Sequence, residues 1–222
     1  MGVTRTAATR VLQLLSCEQF DPRIEALRRT DYDPAAGSAC LRDTFDDRST
    51  HVLVSIDDAL VGAVRVTQPP GVLRSWVGGA RLPLPEGPRI AEFTRGVVSR
   101  EWRGRGIYQL FMSAAVLRAG ECADVGIATV QVDLHARRCL SVLGFQDRGE
   151  PIAFEHAPAC STLAQCIELD LRRARTAAAA QHQAARQRLL GHGLLVVDVD
   201  IEAETLSVRT QPPLMCTLEA YA

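Results

Sequence analysis

The chain has 222 residues with 25 basic and 26 acidic side chains, and a net charge of −1 offers none of the basic field that a nucleic-acid binder needs. No run approaches the ~20 apolar residues required to cross a bilayer, and the N-terminus lacks the charged-then-apolar pattern of a secretory leader, so a cytoplasmic protein is expected. Seven scattered cysteines without CxxC spacing argue against a disulfide framework or a zinc site, and no metal is expected.

In chain order, Ile24 and Leu27 at helical spacing behind Asp21-Pro22 predict a first helix over 22–29, broken by Tyr32-Asp33-Pro34 and Gly37. Residues 51–56 and 60–66 are β-rich runs joined by Asp57-Asp58-Ala59, the length of a hairpin link. Proline and glycine recur over 69–88, which reads as a long surface loop able to cover an active site. A central strand over 90–98, a helix over 105–119, a strand over 127–132 and a helix over 136–143 stopped by Gly144 follow. A last apolar strand over 162–169 closes a domain spanning 1–170. Residues 171–222 form an extension, with an Ala/Arg/Gln-rich helix over 171–190 ended by Gly191-His192-Gly193, then a hairpin from 194–199 and 205–209. The Ala/Leu stripe of that helix would serve a homodimer, or pack back on its own sheet.

The stretch richest in chemistry is Arg103-Gly104-Arg105-Gly106, between a strand and a helix. A glycine-rich turn entering a helix offers backbone N–H groups at the positive end of the helix dipole, and two arginines add permanent charge. Such a turn suits the phosphates of a carrier, although surface loops of this composition are commonly just solvated.

Arg103-x-x-Gly106, after Val97-Val98, resembles the acyl-CoA-binding motif of the GCN5-related N-acyltransferase (GNAT) superfamily, and Ala136-x-x-x-Leu140-x-x-Leu143-Gly144-Phe145 resembles its closing signature. The resemblance implies a mixed, mostly antiparallel sheet flanked by helices, here with a C-terminal helix plus hairpin extension. It also implies an acyl-CoA or phosphopantetheine-linked thioester as co-substrate, held by Val97, Val98, Arg103, Gly104, Arg105, Gly106, Ile107 and Tyr108. Tyr108 stands where the motif has a small residue. Leu140 stands where many members place the tyrosine that protonates the leaving thiolate, so no general acid carries over.

Glu92-Phe93-Thr94-Arg95, the segment from Asp46-Asp47 to His51-Val-Leu-Val54, Gly62-Ala-Val-Arg65, and Ala26-Leu-Arg28-Arg29-x-x-Tyr32 resemble the acyl-homoserine-lactone synthases and related long-chain N-acyl amino acid synthases. That narrower resemblance implies transfer of an acyl group from CoA or an acyl carrier protein to the amine of a small acceptor such as an amino acid. Glu92 would be general base and Arg95 its partner, brought to one face by a β-bulge, while Arg65 and Asp46 would hold the acceptor. Other readings stand beside these. Glu92 and Arg95 would equally brace the sheet as an ion pair, Arg65 would be a strand-end charge, and Asp46-Asp47 suits a turn. His51, His135, Cys122 and Cys139 read as structural, Trp102 as an anchor for the turn, and Tyr108 as packing or a hydroxyl near the carrier phosphate. Two other functions also remain: a conventional acetyl-CoA-dependent N-acetyltransferase, and a silent carrier- or CoA-binding regulator.

Overall fold

A computed structural model describes residues 10–31, 41–68, 89–131, 136–157 and 160–199. The loop expected over 69–88, the second hairpin arm over 205–209 and His135 lie outside these. Among the described residues, nine strands form one sheet: β1 (Arg10–Cys17), β2 (Thr50–Ile56), β3 (Ala59–Thr67), β4 (Ile90–Val98), β5 (Val125–Gln131), β6 (Gln146–Asp147), β7 (Ile152–Ala157), β8 (Cys160–Asp170) and β9 (Leu194–Val199). Their order is β6-β8-β5-β4-β3-β2-β1-β9, with β7 also paired to β8. Of these pairings β4–β5 and β1–β9 are parallel and the others antiparallel. Among the described residues, four α-helices flank it: α1 (Pro22–Asp31), α2 (Ile107–Cys122), α3 (Ala136–Val142) and α4 (Leu171–Gly191).

Local chemistry explains the elements the sequence announces. Asp21 caps α1 by accepting the Arg23 N–H at 2.8 Å, with Pro22 at the first helical position, where its missing N–H costs nothing. Asp57 and Asp58 take φ of 49° and 66°, the left-handed pair of a tight hairpin turn. Asp170 caps α4 by accepting from the Arg173 N–H at 3.1 Å.

One face of the sheet carries α1, where Ile24 and Leu27 bury against Leu53, Ala63 and Val97. The opposite face carries the larger core, in which Ile107, Leu110, Phe111, Ala115 and Val116 of α2 pack on Val52, Val54, Val64, Val66 and Phe93. The second side of α2 is also covered. Leu171, Ala174, Ala178, Ala185 and Leu189 are buried along one helical stripe of α4, at spacings of three, four, seven and four, and α4 lies along α2. Gly120, near the end of α2, faces Leu171, and Gly106, at its start, faces Arg188, so the two helices run antiparallel. This explains why α2 is apolar all round, and the stripe that would have served a second copy is buried within the chain. After α4, β9 joins the free edge of β1 in parallel, Arg10 opposite Leu194.

Two departures from regular pairing shape the middle of the sheet. β4 pairs with β5 only from Ile90–Val125 to Phe93–Ala128, after which β4 continues along β3 and β5 along β8, so the two strands part. In the same place, Thr94 pairs with Arg65 and Val97 with Ala63, leaving Arg95 and Gly96 opposite Val64 alone. This is a β-bulge, and Arg95 takes φ +57° to make it. Such left-handed backbone in a large non-glycine residue is strained and clusters at functional sites.

Candidate active site

The expected glycine turn before the helix is present. Gly104 and Gly106 take φ of 77° and 98°, conformations that glycine adopts without a Cβ penalty, and Gly106 caps α2. The first N–H groups of α2 therefore open outward beside the turn. Arg103 is only half committed to solvent: its Nε donates to the Val98 carbonyl at 3.0 Å and its Nη2 to the Asp31 carbonyl at 2.9 Å, tying the turn to β4 and to the end of α1. The Arg105 guanidinium lies 4.7 Å from the Trp102 ring centroid, so Trp102 anchors the turn by cation–π contact. Val97 and Val98 bury their side chains on opposite faces of the sheet, and Ile107 is 1% exposed, so contact with a carrier there would run through backbone. The Tyr108 ring packs on Gly96 at the bulge, where any Cβ would come within 3.1 Å of it, and meets Phe111 edge-on at 5.1 Å.

On the α1 face, behind the bulge, three arginines and two aspartates form one cluster. Asp46 and the Arg28 guanidinium are completely buried, and two hydrogen bonds of 2.9 and 3.0 Å join them as a fork. Asp46 also accepts from the Asp43 N–H at 3.0 Å and lies 3.2 Å from Arg65. Burial pushes the Asp46 carboxyl upward, but its hydrogen bonds from Arg28 and the charges of Arg28 and Arg65 outweigh it and hold the group below the usual carboxylate range. Arg65, 1% exposed, donates to Asp43 at 2.7 Å and to Thr94 Oγ1 at 3.0 Å. Arg95 donates to the other oxygen of Asp43 at 2.7 Å. His51 donates from Nε2 to the Asp46 carbonyl at 2.8 Å, and burial holds its pKa down.

Glu92, 2% exposed, pairs across the sheet with Thr67, two residues along from Arg65–Thr94. Side chains on alternate residues share a face, so Glu92, Thr67, Thr94 and Arg65 all project to the α1 side, and the bulge turns Arg95 to the same side. The structure thus gathers Glu92, Arg95 and Arg65 around the point where β4 and β5 part. It does not leave Asp46 at the surface. Asp43 is the carboxylate that reaches it, with its side chain 23% exposed. Sequence reasoning missed Asp43 and Arg28; the three-residue step from Asp43 to Asp46 was the available signal. Leu140 is 3% exposed in the core beside Leu143 and Phe145, and Phe145 packs edge-on against Phe93 at 5.8 Å, so that position packs and carries no proton.

No protein-family profile matches the chain, and no curated protein matches its sequence. Solved structures do match. The CoA-dependent acyl-homoserine lactone synthase BjaI, with MTA, aligns at TM-score 0.60 and 16% identity over 87% of this chain and 96% of that one. An acyl-CoA N-acyltransferase from Pseudomonas aeruginosa aligns at 0.52 and 16% identity over 71% and 98%. The ribosomal-protein-S18-alanine N-acetyltransferase from Escherichia coli aligns at 0.51 and 10% identity over 72% and 94%. The chain therefore has the GNAT fold, shared with an acyl-homoserine lactone synthase among acyltransferases. Among the described residues, no helix is long and apolar enough to cross a membrane.

Proposed function

We propose that the protein is an N-acyltransferase that moves an acyl group from a CoA or phosphopantetheine thioester to the amine of a small, carboxylate-bearing acceptor. One observation carries this reading: the β4–β5 parting and the Arg95–Gly96 bulge lie beside both the glycine turn that opens α2 and the buried arginine–aspartate cluster. BjaI, solved with SAM and isopentyl-CoA, aligns over the same span at TM-score 0.59 and 17% identity, and it supports an amino-acid-derived acceptor and an acyl donor longer than acetyl.

The chain's own residues supply the steps. The turn at Gly104–Gly106 holds the carrier phosphate, and the arm of the carrier runs past Tyr108 to the parted strands. In the charge cluster Arg28, Arg65 and Arg95 face Asp43 and Asp46, with Glu92 on the same side of the sheet, and Arg95, 11% exposed, is the guanidinium that an acceptor carboxylate reaches. Asp46 acts through the arginines it holds rather than by touching the acceptor. Glu92 takes the proton as the amine attacks the thioester carbonyl, and the bulge and the Arg95 cation face the developing oxyanion. The thiolate departs and the amide is released.

The test is incubation with octanoyl-CoA and a panel of amino acids and their derivatives, with products followed by mass spectrometry. Formation of an N-octanoyl amide, together with one equivalent of free CoA, supports the reading. Activity on acetyl-CoA alone would replace it with a conventional acetyltransferase, and absence of any turnover with bound CoA would point to a silent carrier-binding protein.

A further inference from the structure

The C-terminal helix reaches the donor site. Because α4 runs antiparallel to α2, its last turn lies over the first turn of α2. The side of Gly106 that lacks a side chain faces it: a Cβ there would lie 3.2 Å from Arg188 Cδ and 4.0 Å from Arg188 Nη1. The Arg188 guanidinium meets Gln109 Oε1 at 3.5 Å, the outer limit of a hydrogen bond, and no carboxylate of the described residues lies within ion-pair distance of it. Arg105, the neighbour of Gly106 in the chain, likewise rests on Trp102 and makes no ion pair among the described residues. Elsewhere the arginines are mostly matched to aspartate or glutamate, as Arg10, Arg23, Arg28, Arg65 and Arg95 are. Two unmatched guanidiniums therefore converge on one left-handed glycine at the mouth of the turn. The field of Arg188 also reaches α3: burial pushes the Cys139 thiol up, and Arg188 draws it down.

From this placement, and resting on the function proposed above, we infer that Arg188 is a donor-binding residue that completes, with Arg105 and the Gly104–Gly106 turn, a site for a diphosphate, so that the donor is free acyl-CoA. The charge arithmetic selects the source. A carrier protein presents its arm through a single phosphodiester with one negative charge, whereas CoA brings a diphosphate and a 3′-phosphate, which two uncompensated arginines match. On this account the helix after residue 170 belongs to the substrate site as well as to the core.

The experiment compares the full-length protein with R188Q and R188K by calorimetric titration, using octanoyl-CoA, octanoyl-pantetheine, which has no phosphate, and an octanoyl acyl carrier protein. Loss of a charged hydrogen-bonding group should weaken octanoyl-CoA roughly tenfold or more in R188Q, with partial recovery in R188K and no change for octanoyl-pantetheine. Equal octanoyl-CoA affinity in wild type and R188Q, equal losses for both small donors, or tighter binding of the carrier protein than of octanoyl-CoA would each overturn the inference. A wild type that binds none of the three would instead overturn the proposed function. A matching melting curve for R188Q establishes that α4 stays docked, since its buried residues are untouched.

Discussion

Asp46→Asn removes one charge from the middle of a fully buried pair, and its cost follows from what remains. Asparagine keeps the size and one acceptor oxygen, but it leaves the Arg28 guanidinium, with no solvent exposure, facing a neutral amide and an unsuited NH2 group. Breaking one partner of a buried ion pair costs ~3–5 kcal/mol, because the surviving charge stays desolvated. That is a large share of the ~5–15 kcal/mol typical of a whole domain. For a chain of this size each kcal/mol moves the melting point by ~2–4 °C, so the variant should melt roughly 6–20 °C lower. Urea unfolding followed by circular dichroism measures the loss directly, and Asp47→Asn, at an exposed pair with Arg42, is the control, with an expected cost below ~1 kcal/mol. Asp46 is held below its ordinary pKa, so its contribution is present above the unfolded value of 3.8 and is lost as pH falls through the folded value; the wild-type advantage over D46N should shrink on acidification below about pH 4. A D46N penalty as small as that of D47N would refute the argument, because it would mean that Arg28 is solvated.

Three further outcomes are expected. Glu92→Gln, isosteric at a buried position, should lower kcat ~10²–10⁴-fold with a small change in KM for donor; retention of near wild-type kcat would remove Glu92 as the base. His51 has its pKa lowered by burial, so the folded state binds fewer protons than the unfolded one below about pH 6.5, and stability should fall with decreasing pH by up to ~1.4 kcal/mol per unit. H51Q should flatten that slope between pH 6.5 and 5, and an unchanged slope would assign it to other groups. At Gly126 a Cβ would lie 2.8 Å from Phe93 Cε2 and 3.3 Å from Leu171 Cδ2, so Gly126→Ala should cost ~1–3 kcal/mol in urea unfolding, whereas Gly191→Ala, with open space around it, should cost little.

What the sequence revealed was local. The central strand over 90–98 has the bounds expected of it, because Pro88 precedes it and the charged, glycine-rich turn follows it. The bulge was legible too, since Glu92, Thr94 and Arg95 cannot share a face in a regular strand, and the structure places it at Arg95–Gly96. Pairings across long separations left no local trace. β1 is not singled out in the sequence, and its place in the sheet comes from β2 on one side and from β9, some 180 residues later, on the other. Arg28 meets Asp46 across 18 residues and Arg95 meets Asp43 across 52, so the charge cluster could not be assembled from spacing, and Asp46 reads as an acceptor-binding carboxylate or a turn residue and not as the partner of Arg28. Arg188 sits 82 positions after Gly106, and nothing in its helical surroundings marks it as different from the other arginines of α4.

The central claim is that the turn and the parted strands hold one acyl-thioester donor from phosphate to carbonyl. A crystal structure with a non-hydrolysable octanoyl-CoA analogue tests it most directly. The account predicts the diphosphate over the backbone of Gly104–Ile107, within reach of Arg105 and Arg188. It places the thioester-mimicking carbonyl at the Arg95–Gly96 bulge, with Glu92 and Asp43 on the acceptor side. A diphosphate bound elsewhere, or an acyl carbonyl remote from the bulge, would contradict it.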